Sequence, residues 1–175
     1  MAKTGERFAM PDGSVYEVTA AAGESAGEFV EMQFTLPPGC VPPPPHVHPR
    51  PVEEYEVIEG TLEVMIGASW RTLGPGESAV VPVGVLHTFR NRSGAPVHVR
   101  NVHRPAARFE DYIQHICELL RARAVKSTKD PRVPLYLSML MLEYPETLAA
   151  GRRRERFALS ALATVGRVLR LNTKV

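Results

Sequence analysis

The sequence predicts a mainly-β domain, a sandwich or barrel of short strands, followed by about three α-helices. Three observations predict it. Up to about residue 103 the chain is cut into short apolar-alternating runs separated by turn residues. After Pro105 the apolar period lengthens from that of a strand to that of a helix. The charge changes at the same place: residues 1–103 carry seven Lys/Arg against twelve Asp/Glu, and residues 104–175 carry fourteen against seven. The expected division is therefore a β domain at 1–104 and a basic helical extension at 105–175, packed on the β domain or held at a dimer interface.

In EFVEMQFTL, Val30, Met32, Phe34 and Leu36 fall on one face and Glu31, Gln33 and Thr35 on the other, the period of a half-buried strand. VEEYEVIEG, TLEVMIG, SWRTL, ESAVVP, LHTFRN and APVHVRNV follow, with EGT, LGPGE and RSGAP as turns between them. Many short strands with regular turns are the mark of a sandwich or barrel. Beyond Pro105, Phe109, Tyr112, Ile113, Ile116, Leu119 and Leu120 recur at helical spacing. A second helix is expected from about Leu135 to Tyr144, stopped by Pro145. A third is expected from about Arg152 to Leu171, with Leu162, Val165 and Leu169 among its apolar positions. The RRRER run would lie at the start of that helix, where positive charge opposes the helix dipole.

The 175 residues are enough for one hydrophobic core, and 44% hydrophobic with 23% charged residues is a globular composition. The N-terminus has no apolar signal segment, and no apolar stretch reaches the ~20 residues of a membrane span. Cys40 and Cys117 lie far apart in no CxxC pair, so reduced thiols and a cytoplasmic location are expected. The basic extension lacks a helix-turn-helix signature; its arginines are expected on solvated helix faces, and nucleic acid is not an expected partner.

Residues 46–53 read HVHPRPVE. His46 and His48, two apart, share one face of a strand. Glu53 follows His48 at an odd spacing, so Pro49 and Pro51 must break the strand if its carboxylate is to join them. The four prolines before His46 make a stiff approach without N–H donors. His87, in PVGVLHTFRN, is the third imidazole. Three imidazoles and a carboxylate suit one divalent transition metal ion (Fe, Mn, Ni, Cu or Zn), and the donors alone do not choose among them. His98 and His103 are five apart, so at most one points inward; neither is assigned as a ligand.

The glycines and prolines extend the pattern. One block runs Gly39, His46-x-His48, Glu53, Gly60; the second runs Gly76, Pro82-x-Gly84, His87, Asn91. Together they closely resemble the two motifs of the cupin superfamily, with one extra residue between Gly39 and His46. The resemblance covers roughly residues 27–103. It implies a double-stranded β-helix, or jelly-roll barrel, holding a metal on His46, His48, Glu53 and His87. It places Gly60, Gly76, Pro82 and Gly84 at turns and makes Asn91 structural. Small cupins resemble dimers built by sheet association, so a homodimer is expected.

Strand alternation puts Met32, Phe34, Tyr55, Val57 and Phe89 on the inner face, either enclosing an apolar substrate pocket or filling the barrel. Tyr55 is the candidate polar contact, and Glu53 the candidate base if it leaves the metal. The expected activity is that of a metal-dependent oxidoreductase, dioxygenase-like, on a small organic molecule. The alternatives are a metal-dependent isomerase or decarboxylase, or a non-enzymatic binding or sensor cupin whose helical tail meets a partner.

Overall fold

The computed structural model describes residues 2–175. Nine strands come first: β1 (Arg7–Ala9), β2 (Val15–Ala20), β3 (Val30–Leu36), β4 (Val52–Glu59), β5 (Leu62–Ile66), β6 (Ser69–Leu73), β7 (Ser78–Val81), β8 (His87–Arg90) and β9 (Val97–Arg104). Three helices follow: α1 (Phe109–Ala122), α2 (Val133–Glu143) and α3 (Arg153–Val168). The strands form an antiparallel six-stranded sheet, β1-β2-β3-β9-β4-β7, and a three-stranded sheet, β6-β5-β8. The alternation in β3 is realised as read: Val30, Met32, Phe34 and Leu36 are buried and Gln33 is exposed. Strands β1 and β2 extend the sheet beyond what the alternation had marked. Their residues are mostly half-buried or exposed, so no clean period announces them.

The two sheets face each other across aromatic contacts. Phe89 on β8 lies 6.2 Å from Phe34 on β3 and 5.7 Å from Tyr55 on β4, ring centre to ring centre. This is the jelly-roll arrangement the resemblance implied, with β3 and β9 at the centre of the larger sheet and β4 beside β9. The pairing of β4 with β9 sets Glu53 directly opposite His103 and Tyr55 opposite Asn101. The turn at Gly60 needs glycine twice over. Its φ is +85°, and a Cβ would lie 2.6 Å from the Pro96 carbonyl oxygen.

The helices begin and end close to where the period placed them. Helix α1 buries Phe109, Tyr112, Ile113, Ile116, Cys117, Leu119 and Leu120. Helix α2 carries Pro134 in its first turn and ends before Pro145. Helix α3 differs from the expectation. It stops at Val168, buries only Ala163 and Gly166, and leaves Leu162, Val165 and Leu169 exposed. The reason is close approach: a Cβ on Gly166 would meet Met139 Sδ of α2 at 2.8 Å. Ala163 and Gly166, with the half-buried Leu159, form its contact face. The arginine run is handled locally, since Glu155 accepts the Arg152 N–H at 2.9 Å in the first turn. Among the described residues, no helix is long and apolar enough to cross a membrane.

Candidate metal centre

His46 and His48 lie on a short bridging segment rather than a regular strand. His46 exchanges both backbone hydrogen bonds with His87 (3.0 and 2.9 Å), and Val47 does so with Ala149 beyond α2 (2.9 Å each). One step further, the His48 carbonyl accepts the Gly84 N–H at 2.9 Å. This extended stitching keeps both rings on one side. The chain then bends through Pro49–Pro51 and enters the other sheet at Val52, which carries Glu53 back toward the imidazoles.

All four side chains are buried. The three imidazoles are oriented alike. Nδ1 of His46 donates to the Pro44 carbonyl (2.9 Å), that of His48 to the Thr147 carbonyl (2.5 Å), and that of His87 to the Val85 carbonyl (2.9 Å). A carbonyl can only accept, so the proton sits on Nδ1 and each Nε2 turns a lone pair inward. Glu53 Oε2 lies 2.9 Å from His87 Nε2 and 3.5 Å from His48 Nε2. Its other oxygen accepts the Asn101 amide at 2.9 Å.

A fifth buried group completes the cluster. His103 Nε2 lies 3.2 Å from His48 Nε2 and 3.4 Å from Glu53 Oε1, and its ring stacks on Phe109 of α1 at 3.6 Å. Sequence reasoning had left it unassigned. His98, its outward counterpart, contacts Thr35 at 3.2 Å, so one of the two points inward. Asn101, two residues earlier on the same face, was also missed.

The electrostatics follow from burial among like groups. Burial, then the neighbouring His87 and His48, push His46 down to about 3. Burial likewise holds His103 well below the usual imidazole range. Burial alone would raise Glu53, but His103, His48 and His87 hold it well below the carboxylate range, so it is anionic. Burial lowers His87, yet the hydrogen bond and charge of Glu53 leave it raised.

These donors fit a divalent transition metal. Glu53 Oε2 and His87 Nε2 are buried and 2.9 Å apart, a carboxylate oxygen directly on an imidazole nitrogen. That spacing calls for a cation shared between them, either a proton or a metal ion. Among the described residues, two groups have metal-ligand spacing, His46/His48/His87 and His48/Glu53/His103, and they share His48.

A cavity of about 120 Å³ opens beside this cluster, with His46 and Glu53 in its wall. Of the five residues expected to line a pocket, Phe34 and Phe89 do so. Met32, Tyr55 and Val57 do not; they are at most 1% exposed and fill the space between the sheets. Much of the remaining wall comes from the helices, Phe109, Tyr112, Ile113 and Ile116 of α1 and Val133, Leu137 and Met141 of α2, and the N-terminal segment adds Met10, Asp12 and Tyr16. The stiff segment Val41–Pro44 forms one rim. The Tyr55 hydroxyl is buried without a hydrogen-bond partner, and burial followed by the Glu53 charge raises it well above the usual phenol range. Asn91 ties the strand ends together, its amide donating to the carbonyls of Leu36 (3.0 Å) and Ala95 (2.9 Å).

The family comparison agrees with this geometry: residues 32–103 match the family model described as a cupin domain. Residues 32–103 are a cupin domain. Among solved structures, this cupin is similar in fold to an RmlC-like cupin from Shewanella frigidimarina NCIMB 400, at 19% identity and a TM-score of 0.52 over 65% of this chain and 93% of that one. It is similar also to a "predicted oxalate decarboxylase" from Thermotoga maritima, at 17% identity and TM-score 0.52 over 58% and 92%. KdgF from a Halomonas species gives 20% identity and TM-score 0.50 over 57% and 87%. No curated protein matches the chain.

Proposed function

We propose that this cupin is a metal-dependent oxidoreductase, dioxygenase-like, acting on a small and largely apolar organic molecule. The observation that supports it best is the close buried pair Glu53 Oε2 and His87 Nε2, beside two further imidazoles with inward lone pairs, at the edge of an apolar cavity. His46, His48, Glu53 and His87 would hold the ion. When bound, it supplies a Lewis acid with open positions for incoming ligands.

The chain's own residues then set what enters. The cavity is close to the ~150 Å³ that takes a benzene-sized guest in an apolar core. Phe34, Phe89 and Phe109 offer ring faces, while His46 and Glu53 supply the polar end beside the metal cluster and Asp12, Tyr16 and Thr128 add polar groups elsewhere in the wall. The substrate class is therefore a ring-sized apolar body with one oxygen-bearing group directed at Glu53. Glu53, anionic and hydrogen-bonded to Asn101 through one oxygen, would act as a base only after its carboxylate leaves the ion, since its neighbours hold it well below the carboxylate range.

The test is metal content of the purified chain by mass spectrometry, beside a His46→Ala/His48→Ala control, followed by oxygen uptake with small phenols and diketones. Near-stoichiometric iron, manganese, nickel or copper, lost in the control, with uptake on one such compound, supports the reading. Metal without uptake leaves isomerase or decarboxylase chemistry. No metal after reconstitution removes the enzyme reading.

A second reading, a binding or sensor module whose helical tail meets a partner, draws on one observation. Phe157 and Val168 on α3 are 79% and 76% exposed, beside Arg153 and Arg154. A homodimer belongs with this reading, and light scattering that finds only monomer would remove it.

A further inference from the structure

The cluster holds one imidazole more than the four-residue set, and its position is specific. His103 is fully buried, and it sits across the β4–β9 ladder from Glu53. Its Nε2 faces two groups with lone pairs. His48 Nε2 is bare, because His48 carries its proton on Nδ1 toward the Thr147 carbonyl. Glu53 Oε1 is the oxygen turned away from His87. The separations of 3.2 and 3.4 Å, with 3.5 Å from His48 Nε2 to the other Glu53 oxygen, Oε2, are near the ~3 Å between adjacent ligands of one ion bonded at about 2.1 Å. The His103 ring is fixed by its stack on Phe109, at 3.6 Å and 17°.

We propose that His103 is a metal ligand, completing with His48 and Glu53 a triad of two imidazoles and one carboxylate beside the three-histidine group. Such a triad is a recurrent iron-binding set. The proposal rests on the metal-centre reading above and deepens it. His48 is the donor common to this triad and to the three-histidine group, so the two sets meet at one residue. The helical extension acquires a role as well, because Phe109 of α1 holds this ligand in place.

A hydrogen bond from His103 to Glu53 is the competing role, and removing it would also weaken metal binding. The experiment must therefore count nitrogens. The full chain is loaded with one equivalent of Cu(II), and pulsed EPR counts coordinated imidazoles in wild type, His103→Gln and His46→Gln. Glutamine can still donate to Glu53. The expected result is one imidazole fewer in each variant, with Cu(II) affinity reduced about tenfold or more. Equal counts in wild type and His103→Gln overturn the proposal while leaving the metal centre standing. No stoichiometric Cu(II) in wild type overturns both. A crystal structure of the copper-loaded wild type needs no substitution: His103 Nε2 within bonding distance of the ion supports the assignment, and an ion bound by His46, His48 and His87 alone refutes it.

Discussion

Helices α1 and α3 both read as amphipathic, yet the molecule uses them in opposite ways. Helix α1 turns its large apolar residues onto the barrel mouth, where Phe109, Tyr112, Ile113 and Ile116 wall the cavity. Helix α3 meets α2 through Ala163 and Gly166 and turns Phe157, Leu162, Val165 and Val168 to the outside. Periodicity reports that a helix has an apolar face. It does not report what covers that face, or whether small residues on the other side make the closer contact.

The difference can be broken by substitution. Leu119→Ala in α1 removes a fully buried side chain and should cost about 2–5 kcal/mol in urea unfolding. A cost below 1 kcal/mol would mean that α1 is not part of the cooperative core. Gly166→Val in α3 places a branched side chain against Met139 and should cost about 1–3 kcal/mol, read as a lower thermal midpoint. An unchanged midpoint would show that α3 does not sit this close to α2. Thr147→Val removes the hydroxyl's bond to the Ala107 carbonyl, for about 1 kcal/mol. It should also loosen the segment whose carbonyl orients His48, weakening Co(II) affinity; equal affinity in a competition titration would argue that the carbonyl is held by the backbone alone. Phe157→Ser on the outer face of α3 should change stability by less than ~0.5 kcal/mol. A larger loss would show that the exposed face is covered in solution, as a dimer would cover it.

The sequence made the fold and most of the buried His/Glu cluster legible because their signals are local. Alternation marked β3 to β9, and the HVH and PVGVLH segments carry their histidines within short, proline- and glycine-punctuated stretches. His103 was not legible. Its place depends on the register between β4 and β9, strands some fifty residues apart, and a shift by one residue would turn it outward and set Val102 or Arg104 opposite Glu53. The cavity wall was misjudged for a related reason. Counting by two along strands finds inward residues, but Met32, Tyr55 and Val57 are consumed by sheet-on-sheet packing. The surfaces left open are closed by helices whose docking no strand pattern records.

The stitch between Val47 and Ala149, with the Thr147 carbonyl on His48, also has a meaning in time. His48 is oriented by an atom 99 residues downstream. During synthesis, both cupin motifs leave the ribosome well before that carbonyl exists. A nascent barrel therefore presents His48 free to rotate, and the donor set is finished only after α2 has been made and laid across the barrel. An ion held at this centre would be captured late in the maturation of the chain, and a ribosome-bound fragment ending before residue 147 should acquire metal less selectively than the released protein.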